Sequence, residues 1–185
     1  EGTNGTPRIL IDPNTLSKEG IAALGSTVPS KDAEYLAYSV SQAGSDWSKI
    51  NVLEVKTGKK LSDEINWVKF SGIAWKGSGF YYSRYDEPKK GSELSNKNEF
   101  HKIYYHKLGD SQSSDQLIYE DKDHALRNFS ADVSDDGKYL FIYGSESTSG
   151  NSLMVKDLEK KDASFKTIVS DFNNDYGVVD NVGGS

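Results

Sequence analysis

Three stretches of this 185-residue chain share one outline, and this repetition limits the possible fold more than any other feature. Each stretch passes from a short polar hairpin sequence into a run of aromatic and β-branched residues. The three stretches are Val28–Val40, Ile73–Tyr85 and Asp132–Gly144. Tyr38, Tyr82 and Tyr143 occupy equivalent places in them, at spacings of 44 and 61 residues.

The spacing favours the blades of a β-propeller. The longer gap contains one polar insertion, Asp86–Phe100. Without it, the period is close to the ~40–50 residues of a four-stranded blade. A single four-stranded sheet cannot cover its own apolar faces, so successive sheets stack and bury them together. The alternative is a β-sandwich in which the three hairpins are unrelated.

Strand signals around the hairpins predict an all-β chain that forms a partial propeller of about three four-stranded antiparallel blades. The blades are expected at 20–66, 67–123 and 124–172, and the next one begins within 173–185. Thr15–Leu24 has a helix-like pattern but contains Gly20, so at most one helical turn is expected there. Natural propellers close with ~4 to 8 blades, so three blades predict a piece of a larger ring or association between copies.

The second and third strands of each blade carry the strongest signals. They are expected at Ala33–Ser41 with Ile50–Gly58, at Gly79–Tyr85 with His101–Gly109, and at Lys138–Gly144 with Ser152–Glu159. The first strands are expected within 23–30, 70–77 and 128–135, and the fourth within 60–67, 116–123 and 165–172. Asp and Gly in the hairpins supply the backbone conformations and side-chain hydrogen bonds that tight turns need.

Composition excludes several classes of function. A net charge of −6 argues against a nucleic-acid partner, because a protein that follows phosphates needs a basic surface. The sequence has no apolar run near the ~20 residues that span a bilayer, so no membrane partner is expected. The chain has no Cys, which excludes disulfides and thiolate chemistry. Its 11% aromatic content, rich in Tyr, suits half-buried strands.

A search for catalytic and metal-binding patterns predicts no catalytic residue, no metal site and no cofactor. The Gly-x-Ser-x-Gly sequence of a hydrolase nucleophile is absent. His101 and His106 lie five residues apart on one expected strand, hence on opposite faces, and are interpreted as surface residues that cannot share a metal. The run Asp171–Gly177 alternates acidic and amide residues. It lacks the Gly and Glu that a helix-flanked calcium loop needs, so a turn is preferred.

Large aromatic residues that turns do not require are candidates for packing or binding. Trp75 is interpreted as packing between blades. Asp46 and Trp47 fall in the loop between the second and third strands of the first blade. Phe70 falls where one blade passes to the next, which leaves its ring free to contact a ligand or another domain.

With these residues in view, the sequence resembles the propeller domain of the prolyl oligopeptidase family, especially its bacterial members. The matching pieces include "YLAYSVSQAGSDWSKINVLEVKTGKKL", "VKFSGIAWKGSGFYYSRYD" and "VSDDGKYLFIYGS". The resemblance implies a seven-bladed propeller that caps an α/β-hydrolase domain, with this chain as roughly the second to fourth blades. The family cleaves short peptides after proline by a Ser-His-Asp mechanism. Its catalytic residues lie in the hydrolase domain, which is expected to be absent from this chain.

The resemblance also implies substrate-binding residues. Phe70 matches the propeller aromatic that lines the outer substrate subsites. Asn128 and Thr148 fall at positions whose family equivalents are apolar or thiol residues of the same pocket, and here both are polar. Asp46 and Trp47 match the loop that faces the hydrolase domain.

The partners implied are that hydrolase domain, in the same parent chain, and short proline-containing peptides. The propeller would act as a gate that excludes folded proteins. The bacterial resemblance suggests an exported or periplasmic protein, with a cytoplasmic protein as the alternative.

Three functions are therefore compared. The first is a non-catalytic gating and substrate-contact segment of a serine peptidase. The second is a stand-alone propeller-like module that binds a protein partner, which would require the three blades to form a stable closed oligomer. The third is a different hydrolase with its site on the propeller, which would require convergent acidic or His residues outside the turns. The resemblance favours the first.

Overall fold

The computed structural model describes residues 5–42, 45–89, 91, 97–179 and 181. Over these residues the chain is built from antiparallel strands and two short 3-10 helices, Pro13–Thr15 and Gln112–Ser114. The strands are β1 Ala22–Pro29, β2 Tyr35–Gln42, β3 Ser48–Glu54, β4 Lys60–Lys76, β5 Gly79–Arg84, β6 Lys102–Lys107, β7 Gln116–Glu120, β8 Asn128–Val133, β9 Tyr139–Ser145, β10 Ser152–Asp157 and β11 Lys166–Val169. No helix in the described part is long and apolar enough to cross a membrane.

The strands form two open sheets, which confirms the all-β expectation. Strands β1 to β7 are hydrogen-bonded in sequence order in one sheet, and β8 to β11 form the second sheet in the same manner. Each strand pairs antiparallel with its neighbour. The stretch Thr15–Leu24 forms no helix, because the 3-10 turn ends at Thr15 and β1 begins at Ala22.

Two of the repeated hairpins have the same pattern of hydrogen bonds. Ser30 Oγ accepts from the Tyr35 amide at 3.0 Å, and Ser134 Oγ accepts from the Tyr139 amide at 2.9 Å. An Asp two residues after each Ser completes the turn by bonding its hydroxyl. The following position is left-handed in both, with φ +57° at Ala33 and φ +73° at Gly137. The hairpin between β4 and β5 is a two-residue turn without this Ser–Asp pair.

Strand β4 differs from the prediction of two separate strands. Its first half pairs with β3, from Lys60 to Val68, and its second half pairs with β5, from Ile73 to Lys76. The register shifts between Val68 and Ile73. Trp67 and Phe70 adopt φ of +61° and +52°, conformations that bulky residues rarely take. One strand therefore bends at 67–70 and serves both blades. The expected boundary at 66/67 falls within it, and the blade limits stay a prediction.

The middle layer, formed by the second half of β4 with β5 and β6, buries both faces. Phe80 and Tyr82 pack into a cluster with Ile50, Val52 and other residues of β2 to β4. From the opposite face, Tyr81 and Ile103 pack into a second cluster. The partners there are Phe129, Leu140 and Ile142 of the second sheet. Alternate side chains of a strand point to opposite faces, so each layer seals its neighbour. This is the stacking that the repeat predicted.

Trp75 lies between the layers, as expected. Its ring is nearly buried in the first cluster. Its indole N–H donates to the Val28 carbonyl at 2.9 Å, which ties β4 to the end of β1. A buried indole needs such an acceptor, so the packing and the hydrogen bond favour the same position.

A buried charged group lies at the same layer junction. His106 Nδ1 bonds Asp115 Oδ1 at 2.7 Å, and His106 Nε2 bonds Asp63 Oδ1 at 3.0 Å. The Tyr82 hydroxyl donates to the second oxygen of Asp115 at 2.6 Å, and the Gly109 amide donates to Asp63 at 2.7 Å. Each ring nitrogen faces a carboxylate, and the hydrogen bonds to these carboxylates raise the pKa of His106, so below that pKa the ring carries both protons and a positive charge. This group joins β4, β5, β6 and the segment before β7.

The buried group generates a stability prediction. His106→Gln leaves two carboxylates buried without a cation, so we expect the free energy of unfolding to fall by about 3 kcal/mol. The control is Lys49→Gln, which removes a 2.8 Å pair with Glu64 whose side chains are 50% and 40% exposed. That change should cost less than about 1 kcal/mol, because water screens exposed pairs. Chemical denaturation measures both, and equal losses would contradict the prediction.

Candidate functional site

A cleft of about 660 Å³ opens where the bend of β4 meets the second sheet. Phe70, Asn128 and Thr148 all line it, so the three residues assigned to substrate binding from the sequence lie together. Much of the remaining lining is polar and includes Ser130, Ser145, Ser147, Ser149 and Asn151. The cleft therefore offers one exposed aromatic ring beside a wall of hydroxyl and amide groups. The role of these residues in binding stays a prediction.

Phe70 projects from the bend, with 59% of its surface exposed. Its left-handed backbone interrupts the regular alternation of β4 and turns the ring away from the core. The Lys69 ammonium lies 5.3 Å from the centre of the Phe70 ring and 5.3 Å from that of Trp47. Such cation–π contacts hold an exposed ring in place.

Lys69 also joins the two predicted sites, and sequence reasoning missed it. Its Nζ lies 3.3 Å from Asp46 Oδ2, and only 10% of its side chain is exposed, compared with 75% for Asp46. Trp47 packs edge-on against Trp67 at 5.8 Å and against Tyr85 at 6.1 Å. The pair assigned to interdomain contact therefore lies directly beside the substrate-binding candidate Phe70. Gly44, which precedes this pair, lies outside the described residues.

Asn128 and Thr148 are held differently. Asn128 begins β8 and is half-buried, and its Oδ1 accepts a hydrogen bond from the Tyr85 hydroxyl. Thr148 is exposed in the loop between β9 and β10. That loop is fixed at Gly150, where a Cβ would overlap the carbonyl oxygen of Phe172. Only glycine fits this approach, so the loop keeps a defined position at the mouth of the cleft.

The stretch Asp171–Gly177 forms turns in which its side chains are already engaged. Asp171 accepts from the Asn173 amide at 3.0 Å, and Asp175 accepts from the Gly150 amide at 2.7 Å. These bonds fit the turn interpretation, because the carboxylates bond backbone groups at different places. No group of three or more His, Asp or Glu side chains suited to a metal ion occurs in the part of the chain that the structure describes.

The surface interpretation of the two histidines is wrong. His101 is 0% exposed and His106 is 1% exposed. His106 packs against Phe80 of the first cluster with 5.4 Å between ring centres, whereas His101 packs against Tyr85 with 4.5 Å between ring centres. Burial lowers the pKa of His101 to about 4, against the opposing hydrogen bond to the Lys69 carbonyl. Burial also acts to lower the pKa of His106, but hydrogen bonds to Asp115 and Asp63 outweigh it and the pKa is raised. The uninterrupted apolar run between the two histidines, which includes Ile103 and Tyr104, could have indicated a strand buried on both faces.

A second cleft, of about 720 Å³, lies on the face of β2 to β4 that points away from the middle layer. Tyr38, Trp47, Asn51 and Trp67 are among its lining residues. The carboxamide oxygen of Asn51 is buried there without a hydrogen-bond partner. None of the residues predicted to bind substrate lines it, whereas Trp47, which was assigned to interdomain contact, does.

Comparison with known proteins agrees with this architecture. A family model described as the prolyl oligopeptidase N-terminal beta-propeller domain matches residues 1–185. The prolyl endopeptidase of Elizabethkingia meningoseptica is 42% identical over 180 residues, which cover 97% of this chain and 25% of that protein. The chain belongs to the prolyl oligopeptidase family.

Solved structures of the family give the same result. One, from a structural and mechanistic analysis of two prolyl endopeptidases, superposes with a TM-score of 0.84 at 36% identity, covering 95% of this chain and 25% of that one. Prolyl oligopeptidase B from Galerina marginata, bound to a 35mer hydrolysis and macrocyclization substrate, gives a TM-score of 0.83 at 33% identity, covering 93% and 26%. The chain thus spans about a quarter of the length of these prolyl oligopeptidase relatives and corresponds to part of their propeller.

The two buried histidines of this propeller segment should give folding stability opposite dependences on pH. The pKa of His101 is lowered from its ordinary value of 6.5 to about 4 in the folded chain. Between pH 6.5 and about pH 4, His101 therefore stays neutral in the folded chain while the unfolded chain binds a proton. Stability therefore falls as the pH drops through that window. The pKa of His106 is raised above its ordinary value of 6.5 in the folded chain. Its contribution to folding stability is therefore complete below pH 6.5 and is lost as the pH rises through the folded-state pKa.

We expect His101→Gln to flatten the acidic side of the stability profile, and His106→Gln to flatten the neutral-to-alkaline side. Urea midpoints measured from about pH 4 to about pH 9 test this, since each slope reports the difference in bound protons. His124→Gln, at an exposed side chain, is the control. A variant profile that parallels the unmodified one across its window would contradict the assignment for that histidine.

Proposed function

We propose that this chain is the non-catalytic propeller segment of a prolyl oligopeptidase-type serine peptidase that cleaves short peptides after proline. In this proposal the propeller limits access to the catalytic domain of the same parent chain and contributes contacts to the bound peptide. The observation that carries the proposal is the meeting of Phe70, Asn128 and Thr148 in one cleft. These residues come from three separate segments of the sequence.

The chemistry of the cleft supports a contact with an extended peptide. The exposed Phe70 ring offers an apolar face to a substrate side chain, and the wall that includes Asn128 and Thr148 offers hydrogen-bonding groups. A binding site of this kind typically combines an aromatic surface with a few placed polar groups. The non-catalytic part of the proposal is supported by the sequence, which lacks the Gly-x-Ser-x-Gly motif of a hydrolase nucleophile.

The surroundings of Asp46 support a contact with the neighbouring domain. Its carboxylate is 75% exposed although Lys69 pairs with it on one side. A charged group that is anchored and still accessible can meet a cation on a docking surface. Because Lys69 also touches the Phe70 ring, a domain contact at Asp46 would lie next to the peptide contact. Closing the two domains and holding the substrate would then involve adjacent residues.

Phe70→Ala in the full-length enzyme tests the substrate contact. Peptides with a large residue two positions before the proline should lose about tenfold in kcat/KM, because an aromatic contact contributes about 1 to 2 kcal/mol. Shorter peptides that do not reach the cleft should change less than about twofold. Steady-state kinetics with a matched pair of peptides gives both values.

Phe100→Ala is a matched control for that experiment. Phe100 is also an exposed phenylalanine, 41% accessible, with a left-handed backbone at φ +60°. It does not line the cleft. We expect this variant to leave the ratio of long to short peptide use unchanged. Equal kinetics for both peptide lengths in Phe70→Ala would count against the subsite role.

The chain on its own should not hydrolyse a proline-containing reporter peptide. The expectation follows from the proposal that the catalytic groups belong to another domain. The measurement is release of a chromophore by the purified chain at high concentration, with the full-length enzyme as the positive control. Turnover that copurifies with the chain and persists through denaturation and refolding would overturn the non-catalytic assignment.

A further inference from the structure

We propose that His101, with Tyr85, is a positioning residue that holds Phe70 and Asn128 in register across the junction between the two sheets. The inference rests on the proposed function, because it assigns a task to residues behind the same cleft. His101 does not line the cleft. It acts by holding the backbone and side chains that line the cleft.

The imidazole of His101 bonds the backbones of two strands that belong to different sheets, β4 and β8. Its Nε2 lies 2.9 Å from the carbonyl oxygen of Lys69, the residue before Phe70. The amide of Phe129, the residue after Asn128, donates to its Nδ1 at 2.9 Å. Each end of the ring therefore binds the backbone beside one cleft residue.

The hydrogen bonds determine the protonation state and tautomer of the His101 ring. Because a backbone N–H donates to Nδ1, that nitrogen must be the acceptor, and Nε2 must carry the proton that it donates to the Lys69 carbonyl. Only the neutral tautomer with the proton on Nε2 satisfies both bonds. The ring is fully buried, so water cannot replace either partner.

Tyr85 completes the arrangement from a third direction. Its ring packs on His101 with 4.5 Å between ring centres, and its hydroxyl donates to Asn128 Oδ1. Tyr85 is itself 5% exposed and touches Trp47 on its other side. A single buried pair thus contacts the backbone before Phe70 and the side chain of Asn128, and it reaches the loop that contains Asp46.

The bend at Phe70 needs such support. Left-handed backbone at a bulky residue is strained and persists only when surrounding contacts fix it. The ladder between β4 and β5 is interrupted at this place, so regular strand pairing does not supply those contacts. The bond from His101 to the Lys69 carbonyl does.

The test compares His101→Gln with Phe70→Ala, singly and together, in the full-length enzyme. Gln can bond one of the two backbone partners but cannot span both. We expect His101→Gln to lower kcat/KM about fivefold for peptides that reach the cleft, mainly through KM, and to leave short peptides within about twofold. In the double variant, the loss should be close to that of Phe70→Ala alone, because both changes remove the same contact.

Two further variants make the result decisive. Tyr85→Phe removes one hydroxyl without changing the packing, so it should fold and should reduce long-peptide use selectively, by about two- to threefold. His124→Gln alters an exposed histidine and should leave the peptide ratio unchanged. If His101→Gln does not fold, Tyr85→Phe combined with Phe70→Ala supplies the same cycle.

The outcomes separate this inference from the proposed function. A selective loss in Phe70→Ala, together with equal losses for both peptide lengths in the His101 and Tyr85 variants, overturns the positioning role and leaves the subsite intact. Fully additive losses in the double variant also overturn it. If Phe70→Ala lowers kcat/KM equally for both peptide lengths, the substrate contact in the proposed function and this inference are overturned together. Selective, non-additive losses establish the positioning role.

Discussion

The structure depends on the burial of one sheet layer from both sides. The second half of β4, with β5 and β6, alternates side chains between two apolar clusters, and neither face is left for solvent. Polar side chains inside this layer are cut off from water, and both of its histidines have hydrogen-bond partners there. His106 is charged between two carboxylates, whereas His101 is neutral between two backbone groups. The same residue type serves two neighbouring junctions in opposite protonation states.

The candidate site follows from this layering. This cleft lies where the stacked sheets separate at their ends, at the bend of β4 and the start of β8. Residues distant in the sequence are then brought together without a dedicated domain. The price is a strained bend, with Trp67 and Phe70 in left-handed conformations. Buried groups behind the cleft offset that strain through hydrogen bonds and ring contacts.

Much of the fold could be predicted because the repeat is local. Strand positions follow from alternation and from Ser–Asp hairpins, both of which are written in neighbouring residues. The continuous strand β4 could not be predicted, since nothing local distinguishes a bend from a break. Phe70 was a candidate from its position between two blades, whereas Asn128 and Thr148 came from family resemblance alone. The buried states of His101 and His106 depend on Lys69, Phe129, Asp63 and Asp115, which are distant in sequence, so a histidine on one strand was mistaken for a surface residue.

Strand β4 also has a mechanical consequence. It belongs to two hairpin ladders at once, so a twist applied to one ladder is transmitted along the covalent chain into the other. The ladder with β5 lapses between Val68 and Ile73, so strand pairing does not hold the chain in that interval. Between these two paired arms, the direction of the chain depends on contacts from outside the ladders, including the bond from His101 to the Lys69 carbonyl. Phe70 lies within that interval, so a rotation of one arm relative to the other would change the direction of its ring.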